Sequence, residues 1–114
     1  MILREMLEPA AQAAGVLGAL VVSRDDGLVV AGALQPKVNG PAVAALAASL
    51  ARRAQGLTEV LGQPEPLLME LAGNEGTLLA VPARAGLLLV AITARGADLA
   101  AVRRQLLGLA ERVG

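Results

Sequence analysis

The sequence predicts an α+β fold in which a mainly antiparallel, five-stranded sheet is sandwiched by helices in the order αββαβββα. Three observations carry this. Residues 15–34 form two apolar runs around a polar turn, residues 67–93 hold three further strand candidates joined by short turns, and segments of helical period precede, separate and follow these two groups. With 114 residues the chain suits one domain spanning 1–114.

The first helix is expected within residues 2–14, where Leu3, Met6, Leu7, Ala10 and Ala14 share one side while Arg4, Glu5, Glu8 and Gln12 lie largely away from it. Pro9 deletes a backbone hydrogen bond, so the helix either begins near Met6 or kinks. The hairpin follows from Gly15 to Leu34. Its polar tetrad ends in Asp26-Gly27, and Gly27 accepts a positive φ without a Cβ clash.

A polar loop from Gln35 to Gly40 leads to Pro41, which suits the first turn of a helix. The second helix is expected from Pro41 to Gln55, stopping at Gly56. Val43, Leu46, Leu50 and Ala54 mark one stripe, while Ala42, Ala44, Ala45, Ala47, Ala48 and Ala51 make the remaining faces small and apolar as well. A helix apolar around its circumference is buried on more than one side. One side covers the sheet and the other is expected to meet a partner subunit, with Val43, Leu46 and Leu50 the leading contact residues; the sequence leaves open which stripe faces which. The adjacent Arg52-Arg53 has two readings: charge favourable to a helix C-terminus, or the rim of a docking surface for an acidic protein patch.

A linker from Leu57 to Pro66, with room for a short helical turn at Thr58–Leu61, precedes strand candidates Leu67–Ala72, Thr77–Pro82 and Leu87–Thr93. The last is nearly continuous Leu, Val and Ile, as in a strand buried on both faces. In the first of the three, Leu67, Met69 and Leu71 fall on one face and Leu68 and Glu70 on the other, and the charge fits an edge. The final helix starts at the capping residue Asp98, with Leu99, Val102, Leu106, Leu109 and Val113 on the stripe that lies on the sheet.

Composition removes several function classes. Cys and His are absent, which excludes thiolate nucleophiles, imidazole bases, disulfides and the thiolate or imidazole ligands of zinc. Ten basic residues, nine of them arginine, balance ten acidic ones without forming a patch, and Phe, Tyr and Trp are absent, so neither phosphate attraction nor base stacking is available for nucleic acid. Apolar runs fall short of the roughly 20 residues a bilayer requires, so no membrane insertion is expected. The N-terminus lacks the basic start and continuous apolar middle of a signal peptide, and a cytoplasmic protein is expected. A core built from Ala, Leu and Val is lean, which suggests that part of the stability comes from burial against another chain.

The remaining polar residues do not compose an active site. Asp25 and Asp26 occupy a turn, where Asp bonds its own backbone. Ser23 has no His or Lys partner, Lys37 is the only lysine, and no Gly-Lys-Ser/Thr phosphate loop occurs. No catalytic residue, metal or cofactor is expected.

The element order, Gly15-Val16 leading into the first strand, the turn Ser23-Arg24-Asp25-Asp26-Gly27-Leu28-Val29, the Ala-rich second helix and the strand Leu87-Leu88-Leu89-Val90 together resemble the Roadblock family, of the dynein light chain type, over nearly the whole chain. The resemblance implies a Roadblock/profilin-like fold and a homodimer joined through the second helix and third strand of each copy. On this chain it places the interface at Val43, Leu46, Ala47, Leu50, Arg52 and Arg53 of the helix and at Leu68, Met69, Glu70 and Leu71 of the strand. It further implies, by likeness to the MglB-like bacterial subgroup, a partner that is a small Ras-like GTPase, whose hydrolysis such regulators accelerate without donating a catalytic residue. From a different class, a profilin-like or GAF-like small-ligand sensor would instead need a pocket between sheet and helices.

Overall fold

Two strands buried on both faces organise the molecule. In the computed structural model, which describes residues 2–114, β1 (Val16–Ser23) and β5 (Leu87–Ala94) pair antiparallel at the centre of the sheet. Outside them lie β2 (Val29–Leu34) beside β1, and β4 (Gly76–Pro82) followed by β3 (Met69–Ala72) beside β5, giving the order β2-β1-β5-β4-β3, antiparallel throughout.

Side-chain alternation divides the apolar residues between two cores. Ala19, Val21, Leu79, Val81, Leu89 and Ala91 face α1 (Leu3–Ala11) and α3 (Leu99–Ala110), whereas Leu20, Val22, Leu78, Ala80, Leu88 and Val90 face α2 (Gly40–Leu61). The only buried polar side chains among the described residues are Thr77 and Thr93. The Thr93 hydroxyl is satisfied by the β4 backbone, Oγ1 accepting from the Thr77 N–H and donating to the Thr77 carbonyl, both at 3.2 Å.

The β1–β2 turn closes as its residues require. Gly27 has φ +70° and donates to the Ser23 carbonyl at 2.9 Å, and Asp26 Oδ1 accepts from the Leu28 N–H at 3.1 Å. The first helix begins at Leu3 rather than Met6 and carries Pro9 in its last turn, where few following residues need a continuous ladder. Asp98 caps α3 by accepting from the Ala101 N–H at 3.1 Å, and Val102, Leu106, Leu109 and Val113 are buried on the sheet.

The second helix is longer than expected. Asn39 caps it through Oδ1 accepting from the Ala42 N–H at 3.1 Å, but it passes through Gly56 and ends at Leu61. Gly56 costs about 1 kcal/mol relative to Ala and no more. The stop is Gly62, at φ +67°, whose N–H donates to Glu59 while Gln63 donates to Thr58, the paired bonds of a Schellman cap. Residues 57–61 are therefore helix and not linker, and Arg52-Arg53 lies inside the helix, so the reading of that pair as a C-terminal charge fails.

β3 is shorter than expected, starting at Met69 instead of Leu67. The register that pairs Met69 with Ala80 would set Leu67 opposite Pro82, which has no N–H to extend the ladder. A bidentate ion pair ties this short edge strand down: Arg103 of α3 donates through Nε to Glu70 Oε1 and through Nη2 to Glu70 Oε2, the latter at 3.1 Å. That hydrogen bond holds the Glu70 carboxyl below its ordinary pKa, outweighing the opposing cost of burial, and the charge of Arg103 adds a lesser lowering.

Two predictions follow from this architecture. Because the folded pKa of Glu70 is lowered, the stability due to the pair is full above the ordinary glutamate value and is lost as pH falls through the folded value. Thermal melts followed by circular dichroism should show wild type more stable than Glu70→Gln at neutral pH, with the gap closing on acidification into that window; a pH-independent gap would contradict the assignment. The second concerns the β4–β5 turn, where Ala85 has φ +58° ahead of Gly86 at φ +71° and the Leu87 N–H donates to Arg84 at 3.2 Å. A Cβ in the left-handed region costs about 1 kcal/mol, and Asn tolerates it better. Ala85→Asn should raise the melting temperature by roughly 4 °C.

Candidate partner-binding surface

The chemistry of α2 is set by which of its two apolar stripes meets the sheet. The stripe of small residues does so: Gly40, Ala44, Ala47, Ala48 and Ala51 are buried. Ala47 is fully covered by the chain's own sheet. Val43, Leu50 and Ala54 flank this contact and are partly buried at its margin. One turn further round lie the larger side chains. Leu46, Leu57 and Leu61 are 47%, 60% and 57% exposed, continuing at helical spacing from Val43 and Leu50. Val60, still more open, borders the same strip.

The same helix packs on Met69 of β3, the strand at that edge of the sheet. Gly73 donates to Gly76 at 2.8 Å, so ladder alternation turns the backbone N–H and C=O of Glu70 and Ala72 outward, unpaired by β4. Met69 belongs to the core under α2, Leu71 is half-exposed on that same face, and Leu68 packs against the opposite core with α1 and α3. Beside the strand, Leu71 with Leu17, Leu78 and Ile92 lines an open apolar depression of about 360 Å³. Glu70 belongs to the edge through its backbone, but its side chain is turned to α3 by Arg103.

Thus six of the expected residues, Val43, Leu46, Leu50, Arg52, Arg53 and Leu71, offer wholly or partly accessible side chains near α2 and the β3 edge; Leu68 and Glu70 reach that edge from the other face; Ala47 and Met69 are occupied within the fold. Arg52 and Arg53 are exposed, and neither enters an ion pair among the described residues. Leu57, Val60 and Leu61 escaped the sequence reading because Gly56 was taken as a stop. Their signal was present, since the spacing Leu50, Leu57, Leu61 stays in helical phase across Gly56, and Gly62 followed by Pro64 is the fuller termination signal.

No other region gathers reactive groups. Among the described residues, no cluster of three or more acidic side chains could hold a metal, and Asp26 is engaged by its own turn. The larger cavities are peripheral and open. One of about 500 Å³ lies between α1 and the end of α3, against Leu3, Met6, Pro9 and Leu109; one of about 560 Å³ lies between the Glu65–Leu67 linker and α3. The first touches no strand; the second also meets the Val81–Pro82 end of β4. No helix among the described residues is long and apolar enough to cross a membrane.

Comparison with known proteins agrees with the geometry. The sequence matches the Roadblock/LC7 domain over residues 2–93. Among solved structures, a Roadblock/LC7 domain from Streptomyces avermitilis superposes with a TM-score of 0.88 at 20% identity, covering 99% of this chain and 95% of that one. MglB of Myxococcus xanthus gives 0.83 at 18% identity over 95% and 88% of the two chains. An MglB with a tetrameric arrangement gives 0.83 at 27% identity over 95% and 82%. No match is found among curated proteins. With the family's sequence pattern running through the helices and strands that build this surface, and with the same fold in these neighbours, the chain belongs to the Roadblock/LC7 family.

Proposed function

We propose that this protein is a non-enzymatic homodimeric regulator whose composite surface binds a small Ras-like GTPase and accelerates its GTP hydrolysis. The observation that carries the reading is the second apolar stripe of α2, with Leu46, Leu57 and Leu61 about half exposed beside an unpaired β3 edge. Large apolar side chains arranged in a strip mark a surface that another chain covers. Pairing of two β3 edges antiparallel joins two five-stranded sheets, and the two-fold axis sets both α2 helices on one face with their leucine stripes opposed. The leucines and the depression near Leu71 and Ile92 then share one buried contact.

Arg53, three residues after Leu50 and four before Leu57, falls within that strip, whereas Arg52 lies about a third of a turn away from it on the helix surface, where a guanidinium suits an acidic patch on a second protein. The GTPase reading draws on family membership and on the MglB neighbours. Within it, this chain supplies no catalytic group; it acts by holding the GTPase in its hydrolytic conformation, which requires tighter binding to that conformation than to the alternatives.

Light scattering with refractive-index detection, needed because the chain has no aromatic chromophore, tests the dimer. At micromolar concentration the mass should be at least twice 11.5 kDa, and Leu57→Lys with Leu61→Lys should reduce the unit joined through α2 to one chain while keeping the circular dichroism of the fold. A wild-type monomer would overturn the homodimer. For the regulatory step, phosphate release by a Ras-like GTPase recovered by pull-down should accelerate on adding the protein. Arg52→Glu should reduce that acceleration by about tenfold, the loss expected from a charge-assisted contact, without changing the oligomeric mass. Unchanged phosphate release in the presence of wild type would leave a scaffold and remove the activator role.

A further inference from the structure

We infer that the opposite edge of the sheet, β2, is a second self-assembly surface at which β2 of another copy pairs antiparallel, centred on Gly32. The inference concerns a different edge from the α2/β3 contact and does not depend on it. The Gln35 N–H donates to the Leu17 carbonyl at 2.9 Å, and the register pairs Ala33 with Ala19 and Ala31 with Val21. Alternation therefore turns the backbone N–H and C=O of Gly32 and Leu34 away from β1, toward open solvent. Free edges are normally blunted by a charge, a proline or a bulge; Val29-Val30-Ala31-Gly32-Ala33-Leu34 contains neither charge nor proline, and its one bulge, at Val30, lies ahead of the Ala31–Leu34 segment. The start of the edge is apolar and open as well, with Leu28 64% and Val30 49% exposed.

Three features favour a second copy of this strand over an unrelated segment. In the register centred on Gly32, the glycine opposes its own counterpart, and the absence of a side chain there permits close backbone approach. Val30 of each copy then faces Leu34 of the other, an aliphatic cross-strand pair, while Ala31 opposes Ala33. Charge is complementary along the same line: the strand runs from the acidic turn Asp25-Asp26 to the basic Lys37, all three exposed, so antiparallel pairing brings each Lys37 toward the other copy's Asp25-Asp26 turn. Parallel pairing would instead set like charges together.

A two-fold contact at each edge of one sheet extends without closing unless the axes bring the outer edges together, so dimers made through β3 join into larger even-numbered assemblies. The test is light scattering of the whole chain across micromolar to millimolar concentration. Wild type should gain mass beyond the dimer as concentration rises. Val30→Lys, an exposed gatekeeper substitution, should stop growth at the dimer with the circular dichroism and melting temperature of the fold retained. Lys37→Glu should shift the growth to several-fold higher concentration, and Lys37→Glu combined with Asp25→Lys should restore it. Identical mass curves for wild type and Val30→Lys would overturn the inference, as would a failure of the charge swap to restore growth. The α2/β3 reading fails separately: if only β2 pairs, wild type stops at a dimer and Val30→Lys alone gives a monomer.

Discussion

The close seating of α2 on the sheet through glycine and alanine is the contact from which the rest of the molecule's surface follows. A core without a single aromatic ring has little volume with which to hold helix and sheet apart, and Gly40, Ala44, Ala47, Ala48 and Ala51 let the helix settle near the strands. The turn at Gly27 packs against the same helix: a Cβ placed there would lie 3.3 Å from Ala48 Cβ and 3.4 Å from Ala45 Cα. Having given its small face to the sheet, α2 has no interior position left for Leu46, Leu57 and Leu61. Those side chains remain in water in the single chain because the other side of the helix is the one the sheet holds.

The β3 edge shows the same division of labour across one strand. Glu70 is turned toward α3 by the Arg103 fork, which anchors a four-residue strand that has few ladder bonds of its own. Met69 and Leu71 are thereby committed to the α2 face, one filling the core and the other extending the apolar strip outward. Ion pairing on one face and apolar exposure on the other leave the backbone edge between them free. At the far side of the sheet, β2 is free for a different reason. It lies last in the sheet order beyond β1, and no element follows it along the hydrogen-bonding direction.

Much of the fold was legible in local chemistry. The nearly continuous Leu, Val and Ile of Leu87–Thr93 read as a strand buried on both faces, and β5 is that strand; Asp98 and Asn39 are caps because a short side-chain oxygen can reach the third following N–H. The Asp26-Gly27 turn closes the expected hairpin. What escaped was the length of α2 and hence the larger part of its exposed strip. Gly56 carries a modest helix penalty, which the neighbouring turns and the Gly62 cap offset, and a penalty of that size does not by itself end a helix.

The amino-acid sequence by itself determined the αββαβββα order, the two-faced character of α2, the edge character of the strand bearing Glu70 and the want of reactive groups, because each rests on residue type and on periods of two or 3.6 that act within a few neighbours. Only the tertiary structure decided which stripe of α2 is buried, how far that helix runs, that Ala47 and Met69 are spent in the chain's own core, and that Glu70 answers to Arg103, 33 residues away. Those outcomes depend on which surfaces fit together at close range. Competition between two apolar faces for one sheet is settled by shape: alanine won the interior because it is small, and leucine was left outside because it is not.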